Sequence, residues 1–197
     1  MRNDIAALVG SRICHDLISP IGAIGNGVEL IELTASTQGP EMALIRESVE
    51  NANARIRFFR VAYGAAAANQ VFGRAELISI LSAAAQSGRF KYHWRVDDDQ
   101  SRHDVRIAFL LFQCFETAFP GGGDITVAVE NDIWTFTASG DHMKVEDALW
   151  ESLLKPKQGH DHSAAQVQFA PLPIALHEAS RKLHIDTKDG QMIATIS

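Results

Sequence analysis

From Cys14 to Ile31 the apolar residues Cys14, Leu17, Ile21, Ile24, Val28 and Ile31 recur in alternating steps of three and four. That spacing lays one continuous apolar stripe along an α-helix. A breaker-rich segment from Thr34 to Pro40 follows, in which Gly39-Pro40 closes the connection and Pro40 suits a first helical turn. Beyond it Met42, Ile45, Val49, Ala52, Ile56, Phe59 and Tyr63 repeat the same steps. Two helices with matching stripes and a short connection form a hairpin. A lone hairpin buries only one side of each helix, so two copies are expected to pair into a four-helix bundle, a symmetric homodimer.

Within the first helix, His15 and Asp16 stand side by side just after the stripe residue Cys14. At about 100° per residue, His15 points roughly 150° away from the middle of the stripe. A neutral imidazole facing water is a nucleophile, and a neighbouring carboxylate can hold one ring nitrogen while the other attacks phosphorus. The same placement also fits an ordinary solvated histidine, and spacing alone does not choose between them. On the histidine's side of the helix lie Ser11, Arg12, Ser19, Gly22 and Asn26, several of them small enough for a partner helix to approach closely. With the hairpin turn near Thr37, Arg55, Arg57 and Arg60 fall at the level of His15, as a lure for an acidic pocket or as solvated cations near a helix C-terminus.

The remaining chain changes character. A helix is predicted around Ala75 to Ser87, then a period-two segment with Phe90, Tyr92, Trp94 and Val96 alternating against Lys91, His93 and Arg95. An apolar helix from about Val105 to Phe119 ends at Pro120-Gly121-Gly122-Gly123. A hairpin of strands Asp124 to Val129 and Trp134 to Ala138 turns at Glu130-Asn131-Asp132. A helix Val145 to Leu154, a polar loop from about Lys155 to Ser163, a helix Leu172 to Leu183 and a strand Met192 to Ile196 complete the reading. The expected fold class is α+β: a helical hairpin over residues 1–68, forming a four-helix bundle on dimerisation, then a two-layer α/β sandwich over residues 74–197.

The 197 residues are 46% hydrophobic, enough for a real core, and carry a formal charge of −6 without a basic, aromatic-interleaved run. Direct nucleic-acid binding is not expected. No run of about 18 apolar residues and no basic-then-apolar N-terminus is present, so the expectation is a cytoplasmic protein with no membrane contact. Cys14 and Cys114 lack CxxC spacing and read as reduced thiols. His160-Asp161-His162 lacks a third ligand at a suitable spacing, so no metal is expected there. Gly121 to Gly123 lacks a following Lys-Ser/Thr and reads as a turn rather than a phosphate cradle.

A helical hairpin followed by an α+β domain resembles the dimerisation and ATP-binding core of histidine kinases, and His15-Asp16-Leu17 with Pro20 resembles their phosphoacceptor box. Those kinases place an asparagine on the helix before the Gly-rich turn and an Asp-x-Gly-x-Gly loop after the next strands. Here Val105 to Phe119 contains no asparagine, and the loop position reads Thr137-Ala138-Ser139-Gly140-Asp141-His142. The means of holding Mg-ATP are therefore missing. A kinase-like shell with an intact acceptor and an eroded nucleotide site resembles the ChpT-like histidine phosphotransferases. The stretch from Ser11 to Gly27, together with Phe58-Phe59-Arg60 and Gly64-Ala65-Ala66, is similar to their hairpin. The resemblance implies that His15 and Asp16 form the transfer site, with Ser11, Arg12, Ser19, Gly22, Asn26, Arg57 and Arg60 meeting the receiver. It implies as partners the receiver domain of a hybrid histidine kinase, response regulators and a second copy of the chain. It implies no bound cofactor and no ATP, the magnesium coming with the receiver. The competing readings are an active histidine kinase with a divergent nucleotide site and a non-catalytic dimeric docking module.

Overall fold

The computed structural model describes residues 5–34, 39–64, 70–155, 162–188 and 190–197. The chain divides into two compact units, residues 1–65 and 66–197. The first is an α-helical hairpin of α1 (Ile5–Thr34) and α2 (Pro40–Tyr63). Gly39 caps α2, Pro40 occupies its first turn with Glu41, and Gly64 ends it by donating its N–H to the Arg60 carbonyl. The predicted turn near Thr37 and the Ala-rich stretch after Gly64 lie outside the described residues.

The apolar stripe of α1 divides. Cys14 and Val28 are buried, whereas Leu17, Ile24 and Ile31 stay about half exposed. In α2 the predicted stripe needs correction: of its seven residues only Ile56 is buried, and Ile45 is exposed. Burial concentrates instead on Ala54, Phe58, Val61 and Ala62 in the C-terminal half. Both sets have helical spacing, so α2 carries two adjacent apolar faces, and periodicity alone does not rank them.

The second unit is a five-stranded mixed sheet with helices on one face. Its strands are β2 (Phe90–Trp94), β4 (Gly123–Glu130), β5 (Ile133–Ser139), β6 (Leu183–Lys188) and β7 (Gln191–Ile196), in spatial order β2-β4-β5-β7-β6. β2 and β4 are parallel; every other pair is antiparallel. A separate ribbon pairs β1 (Val71–Phe72) with β3 (Gln100–Ser101). The helices are α3 (Arg74–Ser87), α4 (Arg102–Ala118), α5 (Asp147–Leu154), a 3₁₀ helix (Ala164–Phe169) and α6 (Pro171–Glu178).

α4 is the centre of the core. Ser101 caps it by accepting the Asp104 N–H at 3.1 Å, and thirteen of its seventeen residues are buried. Phe112 lies 5.3 Å from Tyr92 of β2 and 6.1 Å from Phe136 of β5, while Phe115 meets Trp150 of α5 at 6.1 Å. The alternation predicted for β2 holds, with Phe90 and Trp94 buried and Lys91 and His93 exposed. The β4–β5 turn uses Asn131 and Asp132, both at positive φ (51° and 64°), the twist that suits a two-residue hairpin.

The predicted helix Leu172 to Leu183 is corrected: it ends at Glu178, and Leu183 opens β6. Leu172, Leu176, Ala179 and Leu183 keep a helical step, but Ser180 turns to φ 55° and breaks the continuation. The 3₁₀ helix was not anticipated, and residues 156–161 of the predicted polar loop lie outside the described residues.

Arg181, just past that break, ties three elements together. Its guanidinium donates to both Asp132 oxygens at 2.8 and 2.9 Å and to Asp104 at 3.2 Å. The hydrogen bonds from Arg181 hold the Asp132 carboxyl below its ordinary range. A depressed carboxyl stabilises the fold above its unfolded pKa, and the contribution is lost as pH falls through the folded value. Asp132→Asn should therefore lower the urea midpoint at neutral pH. The difference from wild type should fade well below about pH 4; a gap independent of pH would show that the ion pair contributes nothing.

Candidate functional site

The backbone of α1 carries Ser11, Arg12, His15 and Asp16, whose side chains lie outside the described residues. Further along the same helix, Ser19 and Asn26 are exposed and Gly22 is half-buried. A Cβ added to Gly22 would meet nothing within 4 Å. Ser19, Gly22 and Asn26 follow His15 by four, seven and eleven positions, which places them on one helical face with it. Cys14, one residue away and about 100° around the helix, is buried.

Two close approaches set the register of the hairpin. A Cβ on Gly10 would come within 3.0 Å of the Tyr63 Cβ and 3.2 Å of its carbonyl oxygen, and one on Gly25 within 3.3 Å of Val49. Counting inward from both points along antiparallel helices, His15 stands at the level of Phe58 and Phe59. Arg57 and Arg60 are exposed near that level, and Arg55 lies over the rings of Phe58 and Phe59 at 5.4 and 4.7 Å. The electrostatics agree. Burial pushes the Cys14 thiol up, and the positive charge of Arg60 pulls it partly back, as expected for a guanidinium beside this stretch of α1.

In the second unit, Gly121, Gly122, Gly123, Asp124, Ser139, Gly140 and Asp141 line an open cavity of about 470 Å³. Its chemistry does not suit a phosphate. The lining holds two carboxylates and no basic side chain, and the N–H groups of Gly122 and Gly123 already donate to Phe119 and Arg89. The glycines serve close packing: a Cβ on Gly123 would fall 1.9 Å from the Ser139 carbonyl oxygen, and one on Gly140 2.4 Å from that of Gly122. This is the plain helix-to-strand turn read from the sequence. His160 and Asp161 lie outside the described residues, and the His162 ring stacks on Phe169 at 6.4 Å. Among the described residues no group of three or more His, Cys, Asp or Glu is placed to hold a metal ion. No described helix is long and apolar enough to cross a membrane.

Residues 74–191 match the family model of the histidine phosphotransferase C-terminal domain. The chain is 31% identical over 192 residues to the protein phosphotransferase ChpT of Brucella abortus (strain 2308), covering 92% of this chain and 90% of that protein. A bacterial phosphotransferase structure superposes with a TM-score of 0.74 at 27% identity, covering 100% of this chain and 97% of the other. The full-length ShkA structure shares the fold at a TM-score of 0.50 and 14% identity, over 97% of this chain and 45% of that one.

The charge relation between Arg60 and Cys14 is directly testable. In a Cys114→Ala background, alkylation of Cys14 should be slow, and Arg60→Gln should move its pH midpoint upward. An unchanged midpoint would place Arg60 away from this level of α1.

Proposed function

Because the chain belongs to the histidine phosphotransferase family, a group that works in two-component phosphorelays, we propose that His15 is its phosphoryl carrier. On this reading His15 takes the group from the aspartate of a hybrid kinase's receiver domain and passes it to the aspartate of a response regulator. The observation that carries the reading is the helical face of His15: Cys14 beside it is buried, while Ser19 and Asn26, in line with the histidine, are open to solvent. A partner surface has room to lie along that strip.

In the transfer, the lone pair of one imidazole nitrogen forms the P–N bond in line with the breaking bond, and the donor carboxylate leaves with the electron pair. Asp16 holds the N–H of the other nitrogen, which keeps the attacking nitrogen unprotonated and stabilises the positive charge that grows on the ring. Handing the group to a second receiver reverses these steps. The receiver contributes the magnesium and its acidic site, so this chain supplies a nucleophile and a shape and binds no cofactor or ATP of its own. Ser11, Arg12, Ser19, Gly22 and Asn26 form the contact strip on α1, and Arg57 and Arg60 draw the acidic receiver pocket toward it.

The same reading makes the protein a cytoplasmic homodimer. Leu17, Ile24, Ile31 and Ile45 remain 43–51% exposed on the hairpin, an apolar surface that a second hairpin would cover in a four-helix bundle. Light scattering at micromolar concentration should give twice the chain mass, and Ile24→Lys/Ile31→Lys should return the monomer. A wild-type monomer refutes the pairing.

Incubation with a phosphorylated receiver domain should label the wild type with an acid-labile group and leave His15→Ala unlabelled. Asp16→Asn should slow labelling roughly tenfold or more. Label on His15→Ala would overturn the assignment, and label acquired from ATP without any other protein would replace the relay with a kinase.

A further inference from the structure

The outer face of the sheet, opposite α4, carries an unusual row of charge. The Arg89 carbonyl accepts from the Gly123 N–H at 3.1 Å, and the Arg95 N–H donates to Val127 at 2.8 Å. The two-residue alternation of a strand therefore brings Arg89, Lys91, His93 and Arg95 onto one face. All four are exposed, while Phe90, Tyr92 and Trp94 point inward to the core. Successive members stand about 6.6 Å apart, so the row extends over about 20 Å.

Several of the nearby carboxylates have partners. Asp124 accepts from His93 at 2.7 Å, Asp99 accepts the backbone N–H of Arg74 at 3.1 Å, and Asp97 lies 3.8 Å from the Arg74 guanidinium. Among the described residues Arg89, Lys91 and Arg95 have no ion-pair partner. Three such cations on one strand stand out in a chain of net charge −6. Beside the row the register places Asp124 and Ser139 level with Lys91, Thr126, Thr137 and Ile193 level with His93, and Ala128, Thr135 and Thr195 one step further on.

We propose that Arg89, Lys91 and Arg95 form a docking surface for an extended acidic segment of a partner protein, separate from the His15 strip. An extended segment with an acid at every second residue repeats at the same interval as the row, so its carboxylates meet Arg89, Lys91 and Arg95 while the intervening side chains point away from the sheet. A nucleic acid fits less well. Asp124 lies within the row, level with Lys91, and Asp97 to Asp99 follow Arg95; the aromatic side chains of the segment face inward, leaving no ring on which bases would stack.

The test is fluorescence anisotropy of a labelled peptide of alternating Glu and Thr with the full-length protein at low ionic strength. The wild type should bind and weaken with added salt. Arg89→Glu/Lys91→Glu/Arg95→Glu should bind about tenfold more weakly, and the milder triple Gln variant should fall between. Lys144→Glu/Lys155→Glu/Lys182→Glu, with the same change in net charge, should bind like the wild type. No binding by the wild type, equal loss in both Glu variants, or equally tight binding of a single-stranded oligothymidylate would each overturn the proposal.

Discussion

The second unit depends on a helix that cannot face water on any side. α4 buries residues around its whole circumference, including Arg102, Arg106 and Gln113, and a helix apolar all round must be enclosed. The sheet covers one side of it through Tyr92 and Phe136, and α5 covers another through Trp150. Trp150 in turn meets Phe169 of the 3₁₀ helix at 5.3 Å. Gln113, Thr117 and Arg106 of α4 meet polar partners locally. Gln168 donates to the Gln113 carbonyl at 3.3 Å and to the Thr117 hydroxyl at 2.8 Å, and Arg106 faces Glu178 at 3.6 Å. Removing α4 would take the central helix out of the layer that covers the sheet.

The hairpin follows a different logic. Its stripe is only partly used within one chain: Cys14 and Val28 are buried, while Leu17, Ile24 and Ile31 are half exposed. The small residues Ser19 and Gly22 leave the histidine's face low and open. On the proposed function, a carrier that accepts at His15 from one protein and gives to another benefits from such economy, since any wall built for one partner would obstruct the next.

Long, strongly periodic elements were legible in the sequence, and short or doubly patterned ones were not. The strand alternation from Phe90 to Trp94 and the Asn131-Asp132 turn could be read because each has a local cause, side-chain alternation in one and positive φ in the other. β6 was missed because Leu183 continues the helical step of Leu172 and Leu176, and the break at Ser180 is a backbone event with no strong sequence mark. β1 and β3, two residues each, offer no period at all. The 3₁₀ helix did leave a sign in Ser163 and Gln166, which form its capping box. At the candidate site, the level of Arg57 and Arg60 followed from counting outward from the hairpin turn. The buried face of α2 did not, because its two apolar faces are indistinguishable by spacing.

Gly10 under Tyr63 and Gly25 beside Val49 lie fifteen positions apart on α1, about 22 Å along the axis. Together they act as the two graduations of a vernier. A Cβ at Gly10 would crowd the Tyr63 Cβ and carbonyl and one at Gly25 would press on Val49, so both marks depend on glycine in the present setting. His15 sits between the marks, and its height against α2 is thus gauged from both ends. On the proposed function, a partner approaching along α1 meets the histidine level with this stretch of α2.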